Sequence, residues 1–152
     1  MTVLVTDTGF VPDDWRHGFV PHFALSDQPD TERPVGADVT SSDLSGREWQ
    51  RLVYLSPHVA LIRICLRHFG DTQAITLVRR LRAAGFTGRA RAHGAVLARC
   101  YTFARWAGFD EVELDRAQAL RQPCEHWRND PSWQPVPHLL RRHEAFIRPS
   151  AD

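Results

Sequence analysis

At 152 residues, 43% hydrophobic and 24% charged, the chain has the size and composition of one soluble domain with its own core. All 19 basic residues are arginine, which excludes a pyridoxal-type Schiff base, a P-loop lysine and a lysine general base. The net charge of +1 hides an asymmetry, because residues 1–50 carry 9 acids against 3 arginines and residues 51–108 carry 1 acid against 10.

Residues 1–34 read as an irregular lead-in packed on the domain. Extended segments are expected over Met1 to Val5, Gly9 to Trp15 and His22 to Leu25, separated by Pro12, Pro21, Pro29 and Pro34. Residues 35–122 read as an α/β core. Val35 to Thr40 is a candidate first strand, and Ser42 or Asp43 is expected to cap a short helix running through Trp49 and Leu52. His58 to Ile64 is a β-branched apolar run of strand length. Ile75, Leu77, Val78, Leu81 and Ala84 then recur at helical spacing and stop at Gly85. Arg89 to His93 is the next strand. Val96, Leu97, Cys100, Phe103 and Ala104 mark a helix ending at Gly108, and Asp110 to Leu114 is the following strand. Strand, helix, strand, helix, strand builds a parallel sheet with right-handed crossovers. The fold class is therefore α/β with a small parallel sheet, either open or resembling a fragment of a βα barrel. Asp115 is expected to cap a helix over Arg116 to Gln122. Residues 123–152 read as a Pro-rich tail with a short helix over Leu139 to Phe146.

No apolar run approaches the ~20 residues of a membrane span, and the N-terminus lacks a signal-peptide pattern. Together with three scattered cysteines, Cys65, Cys100 and Cys124, this points to a cytoplasmic protein without membrane contact. The basic centre suits an anionic ligand or an acidic partner. Solvated helix faces explain many of its arginines equally well. No helix-turn-helix, zinc finger or aromatic-interleaved basic strand accompanies it, so nucleic acid is not the expected partner. No glycine-rich dinucleotide fingerprint follows a predicted strand, and no cofactor is expected.

Ligands of parallel sheets sit beyond the C-terminal strand ends. The loop Cys65 to Thr72 is therefore the first site candidate, with Asp71 or Thr72 as the N-cap of the next helix. His68, Asp71 and His93 are the candidate catalytic residues, and Cys65, Arg67, Thr72, Gln73 and Gly94 the candidate ligand contacts. His93 brings a group that titrates near neutral pH, and Gly94 allows close approach of the backbone to a ligand. Glu113 and Asp115 end the following strand near the same mouth. A Cys65 exposed beside Arg67 and His68 would have a lowered pKa and be reactive, whereas Cys100 reads as a core residue. Cys124, His126, His138 and His143 are zinc-ligand types at unsuitable spacing, so no metal site is expected. The tryptophans, Trp15, Trp49, Trp106, Trp127 and Trp133, read as core or interface aromatics.

Several stretches resemble the uncharacterised bacterial domain-of-unknown-function family 934. They are Phe69-Gly70-Asp71, Leu81-Arg82-Ala83-Ala84-Gly85-Phe86-Thr87-Gly88, Arg91-Ala92-His93-Gly94-Ala95-Val96-Leu97 and Gly108-Phe109-Asp110, with Asp13-Asp14-Trp15 similar to the family's opening. The likeness covers most of residues 10–122 and is densest over 61–115. The chain departs from the family pattern at His68, Gly70, Thr72 and Gln73, and again at Ala95, Ala98, Arg99 and Cys100. That marks it as a divergent member. The resemblance implies an association with assimilatory sulfite reduction and cysteine biosynthesis, with a sulfite reductase or another redox enzyme as partner, and carries over no catalytic residue. Two functions follow. One is an accessory or assembly protein that binds an anionic ligand or a partner and forms a homodimer. The other is a small enzyme acting on an anionic molecule at the 65–72 loop.

Overall fold

A computed structural model of the chain describes residues 2–128. One seven-stranded sheet runs through it in the order β2-β1-β7-β6-β5-β4-β3. Strands β3 (Val20–Pro21), β4 (Gly36–Val39), β5 (Leu61–Leu66), β6 (Arg89–Gly94) and β7 (Glu111–Leu114) are parallel and lie side by side in chain order. The hairpin of β1 (Val3–Thr6) and β2 (Gly9–Pro12) extends the sheet beyond β7, to which β1 pairs antiparallel. The sheet is open and the fold is α/β, as the strand-helix alternation requires.

Three crossovers carry helices: α1 (Gly46–Leu55), α2 (Thr72–Ala83) and α3 (Tyr101–Ala107). Strands wound in one direction by right-handed connections place all three helices on the same sheet face. The side chains agree. Ala37, Val39, Ile62, Ile64, Ala90, Ala92, Val112 and Leu114 share the core with Leu52, Leu55, Leu77, Val78, Leu81, Ala104 and Ala107. Two short helices close the described chain, α4 (Arg116–Arg121), capped by Asp115, and α5 (Cys124–Arg128).

Strand side chains alternate between faces, so the opposite face carries the charged residues. Asp38, Arg63, Arg91 and Glu111 are register partners in one row across four strands. Arg63 bonds both oxygens of Asp38, at 3.2 and 2.8 Å, and reaches Glu113 at 3.2 Å. Arg91, 0% exposed, bonds Glu111 at 2.9 Å, Glu113 at 2.8 Å and Asp13 at 3.2 Å. Arg89 joins Glu111 and Asp14, each at 2.8 Å. Among the described residues no helix covers this face. The segment after β2 does, with Asp13 and Asp14 clamped by the arginines and Phe19 stacked 3.9 Å from the Arg63 guanidinium.

Several local expectations shift. The segment His22 to Leu25 is not extended: the strand is Val20–Pro21, and His22–Ala24 is a 3-10 turn whose His22 carbonyl accepts from Arg51. Pro21 has no N–H to continue a ladder. The first helix is capped by Ser45 rather than Ser42 or Asp43. Ser45 and Glu48 form a reciprocal capping box, with the Ser45 hydroxyl accepting from Glu48 N–H at 3.2 Å and the Glu48 carboxylate from Ser45 N–H at 2.7 Å. The central strand starts at Leu61 instead of His58. Ser56–His58 prolongs α1 as a 3-10 turn, closed by Val59 N–H donating to Ser56 O. Cys100 precedes α3 instead of sitting within it. The expected helix over Leu139 to Phe146, Trp133, His138 and His143 lie outside the described residues. Among those described, no helix is long and apolar enough to cross a membrane.

Removing one partner from a buried ion network strands the others, at about 3–5 kcal/mol. Arg91→Met is therefore expected to lower unfolding free energy by about that much, measured by urea denaturation.

Candidate functional site

The β5 and β6 registers put Cys65 opposite His93 and Leu66 opposite Gly94. The loop after β5 and the end of β6 thus meet at one edge of the sheet, where the sequence places them. Gly94 is required there. Its φ is +92°, and a Cβ would lie 2.5 Å from the Leu66 carbonyl oxygen.

Strand alternation then divides the candidates. Leu66, Asp71 and Thr72 face the helix side, whereas Cys65 and His93 belong to the charged face with Asp38, Arg63 and Glu113. The sheet itself stands between the two groups, so they do not form one pocket.

On the helix side, Asp71 is 4% exposed and caps α2. Its carboxylate accepts from the N–H groups of Arg67 at 3.0 Å, Gln73 at 3.1 Å and Ala74 at 3.2 Å. Burial pushes this carboxyl up, but those donors and nearby His68 outweigh it and hold the group below the usual carboxylate range. Such a carboxylate is a structural tie. Arg67 is exposed and donates to the Ser41 hydroxyl at 3.2 Å. His68 is exposed, with its Nδ1 3.3 Å from the Phe69 carbonyl. Thr72 and Gln73 are exposed in the first turn of α2.

Between α2 and α3, at these strand ends, lies a cleft of about 280 Å³. Leu66, Ile75, Val96, Leu97, Cys100 and Ala104 line it, Arg79 and Thr72 stand at its border, and Phe69 and Phe103 form its lips. The lips are 63% and 56% exposed, and Trp106, one turn beyond Phe103 on α3, is 60% exposed. Trp127, by contrast, is a core residue.

Across the sheet, His93 Nε2 is buried without a hydrogen-bond partner, 3.8 Å from Asp38 Oδ1. Burial and Arg63 push the imidazole below its ordinary pKa, and Asp38 and Glu113 only partly oppose them. It is neutral at pH 7. Cys65 is half-buried, and burial, Asp38 and Asp71 push its thiol up against the opposite pull of Arg63 and Arg67. Burial thus opposes the lowered thiol pKa that exposure beside Arg67 and His68 would bring. Among the described residues no group of three His, Cys, Asp or Glu side chains is placed to hold a metal ion.

Asp38, Arg63 and, apart from Asp71 and Thr72, the cleft lining were not among the sequence candidates. The polar pair had a signal. Arg63 and Cys65 alternate with Ile62, Ile64 and Leu66, and Arg89, Arg91 and His93 alternate with Ala90 and Ala92, which is the pattern of a strand with one charged face. The cleft had none, because it depends on how α2 and α3 pack.

A family model described as "Bacterial protein of unknown function (DUF934)" matches residues 44–130. No curated protein and no solved structure matches the chain.

Two measurements follow from these assignments. Asp71→Ala is expected to cost about 1–2 kcal/mol in urea denaturation, and Asp71→Asn, which still caps, clearly less. For His93 the native pKa lies below the unfolded value of about 6.5, so the unfolded chain takes up the proton first. Its contribution is complete above that pH and is lost as pH falls toward the native value. The parent should therefore lose more stability between pH 7.5 and 5.5 than His93→Gln.

Proposed function

Because the chain belongs to the DUF934 family, we propose that it is an accessory protein of sulfite reduction that docks a partner enzyme through the apolar cleft between α2 and α3. The observation that carries this reading is the contrast at the strand ends. The only buried carboxylate of the loop is sealed by three backbone N–H groups, while the open space beside it is lined by apolar side chains with exposed Phe69 and Phe103 at its mouth. Exposed aromatics around a preformed apolar cleft are the usual anchors of a protein interface. Arg79 at the border, with Arg67 in the same loop as Phe69, favours a partner segment that carries carboxylates beside its apolar residue. The family resemblance suggests an assimilatory sulfite reductase as that partner.

The enzyme reading keeps one observation in its favour, the neutral, unpartnered His93 beside Asp38 at the C-terminal strand edge. Saturable binding of sulfite or a small carboxylate that disappears in Arg67→Ala, His68→Ala or His93→Ala would move the conclusion there.

Titration of the purified chain against purified sulfite reductase is the direct test. Phe103→Asp should weaken binding by about tenfold or more, as expected for an interface anchor, with unchanged circular dichroism. No measurable complex, or one indifferent to both Phe103→Asp and Phe69→Asp, would overturn the docking role.

A further inference from the structure

Helix α2 carries two stripes of different character. Ala74, Leu77, Val78 and Leu81 are buried in the core, whereas Thr72, Ile75, Thr76 and Arg79, at i, i+3, i+4 and i+7, form one wall of the cleft toward α3. The two helices converge at Gly108, where an added Cβ would meet Arg82 Cγ at 2.9 Å and Val78 Cγ2 at 3.6 Å, so the cleft opens toward the strand ends. Its volume of about 280 Å³ is close to the lower limit for small-molecule pockets. The polar groups on its wall are one-sided. Its carboxylate, Asp71, is already held by three backbone N–H groups. On α2, Arg80 stacks 4.0 Å over the Trp49 ring and Arg82 pairs with Asp110 at 2.7 Å. Arg79 is exposed and, among the described residues, makes no ion pair or side-chain hydrogen bond, and the hydroxyls of Thr72 and Thr76 make none either. An uncommitted guanidinium and two hydroxyls therefore border an apolar space that offers no free carboxylate to answer them.

We propose that this cleft binds a small amphipathic carboxylate, with Arg79 taking the carboxylate and the aliphatic body lying against Ile75, Val96 and Ala104 beside the Phe69 and Phe103 lips. A guanidinium fork matches a carboxylate, and the chain leaves water as it enters the cleft. Both halves of the molecule are needed, because the apolar wall alone gives no reason to prefer an acid over an alcohol of the same length. Ligand and partner segment compete for one space, so the ligand releases a docked enzyme. That regulatory consequence rests on the docking role proposed above, whereas the ligand site itself does not.

Cys100 supplies the readout, since it is free, half-buried and inside the cleft. In a full-length Cys65→Ser/Cys124→Ser background it is the only thiol. Octanoate should slow its alkylation by iodoacetamide in a saturable way, and octanol should need about tenfold more to do the same. Arg79→Gln should weaken protection by octanoate about tenfold and leave that by octanol unchanged, with circular dichroism unaltered. Arg80→Gln, one position along the helix and outside the cleft, should match the parent. Absence of protection by octanoate, equal protection by octanol, or protection by octanoate that is indifferent to Arg79→Gln overturns the site. Titration against purified sulfite reductase separates this proposal from the docking role. Reductase binding that octanoate weakens supports both. Protection by octanoate without reductase binding keeps the ligand site and removes the docking role, and reductase binding without protection by octanoate does the reverse.

Discussion

The row Asp38, Arg63, Arg91 and Glu111 governs what the rest of the chain must do. Winding five parallel strands consecutively puts the helices on one side and leaves the other side of the sheet without a layer of its own. This sequence fills that side with guanidinium groups, and a buried guanidinium is tolerable only when carboxylates satisfy its fork of donors. Glu111 and Glu113 come from β7, Asp38 from β4, and Asp13 and Asp14 from the segment that closes over the face. The absence of lysine fits this design. Arg91 bonds three carboxylates at once, and an ammonium point charge has no equivalent geometry.

The same winding sorts the chemistry at the strand ends. Side chains one residue apart on β5 and β6 go to opposite faces, so titratable groups gather with the ion pairs and apolar groups gather with the helices. The loop between β5 and α2 belongs to the second set, and its carboxylate serves the helix it precedes. What the cleft on that side offers to other molecules is mainly shape and apolar surface. The charged side retains an imidazole without a partner, but it sits among groups whose hydrogen bonds are committed to one another.

Much of the architecture was legible because it rests on local signals. Residues 61–66, 72–83, 89–94 and 111–114 form strands and a helix where periodicity places them, to within about three residues, the usual margin for element boundaries. Asp71 caps α2 and Asp115 caps α4, both as side-chain chemistry suggests. The antiparallel pairing of β1 with β7 was not legible, since it joins segments more than a hundred residues apart and has no local signature. Nor was the division of the candidate site. Cys65 and Asp71 are close in sequence, and only the known register of β5 shows that the sheet separates them. Helix α5 escaped notice because Pro123 and three further prolines before Leu139 suggested a tail, although a proline such as Pro123 is common at a helix start.

Closure of the charged face by residues 13–14 has a consequence during synthesis. Asp13 and Asp14 leave the ribosome long before Arg91 and Arg89, 78 and 75 positions later, and β1 waits longer still for β7. Until Leu114 has emerged, the nascent sheet lacks its last parallel strand, its antiparallel cap and two of the acids that neutralise its arginines. Such a chain completes its fold only after most of it has been translated, and the half-made product exposes both an unfinished strand edge and unmatched charge to chaperones and nucleic acids.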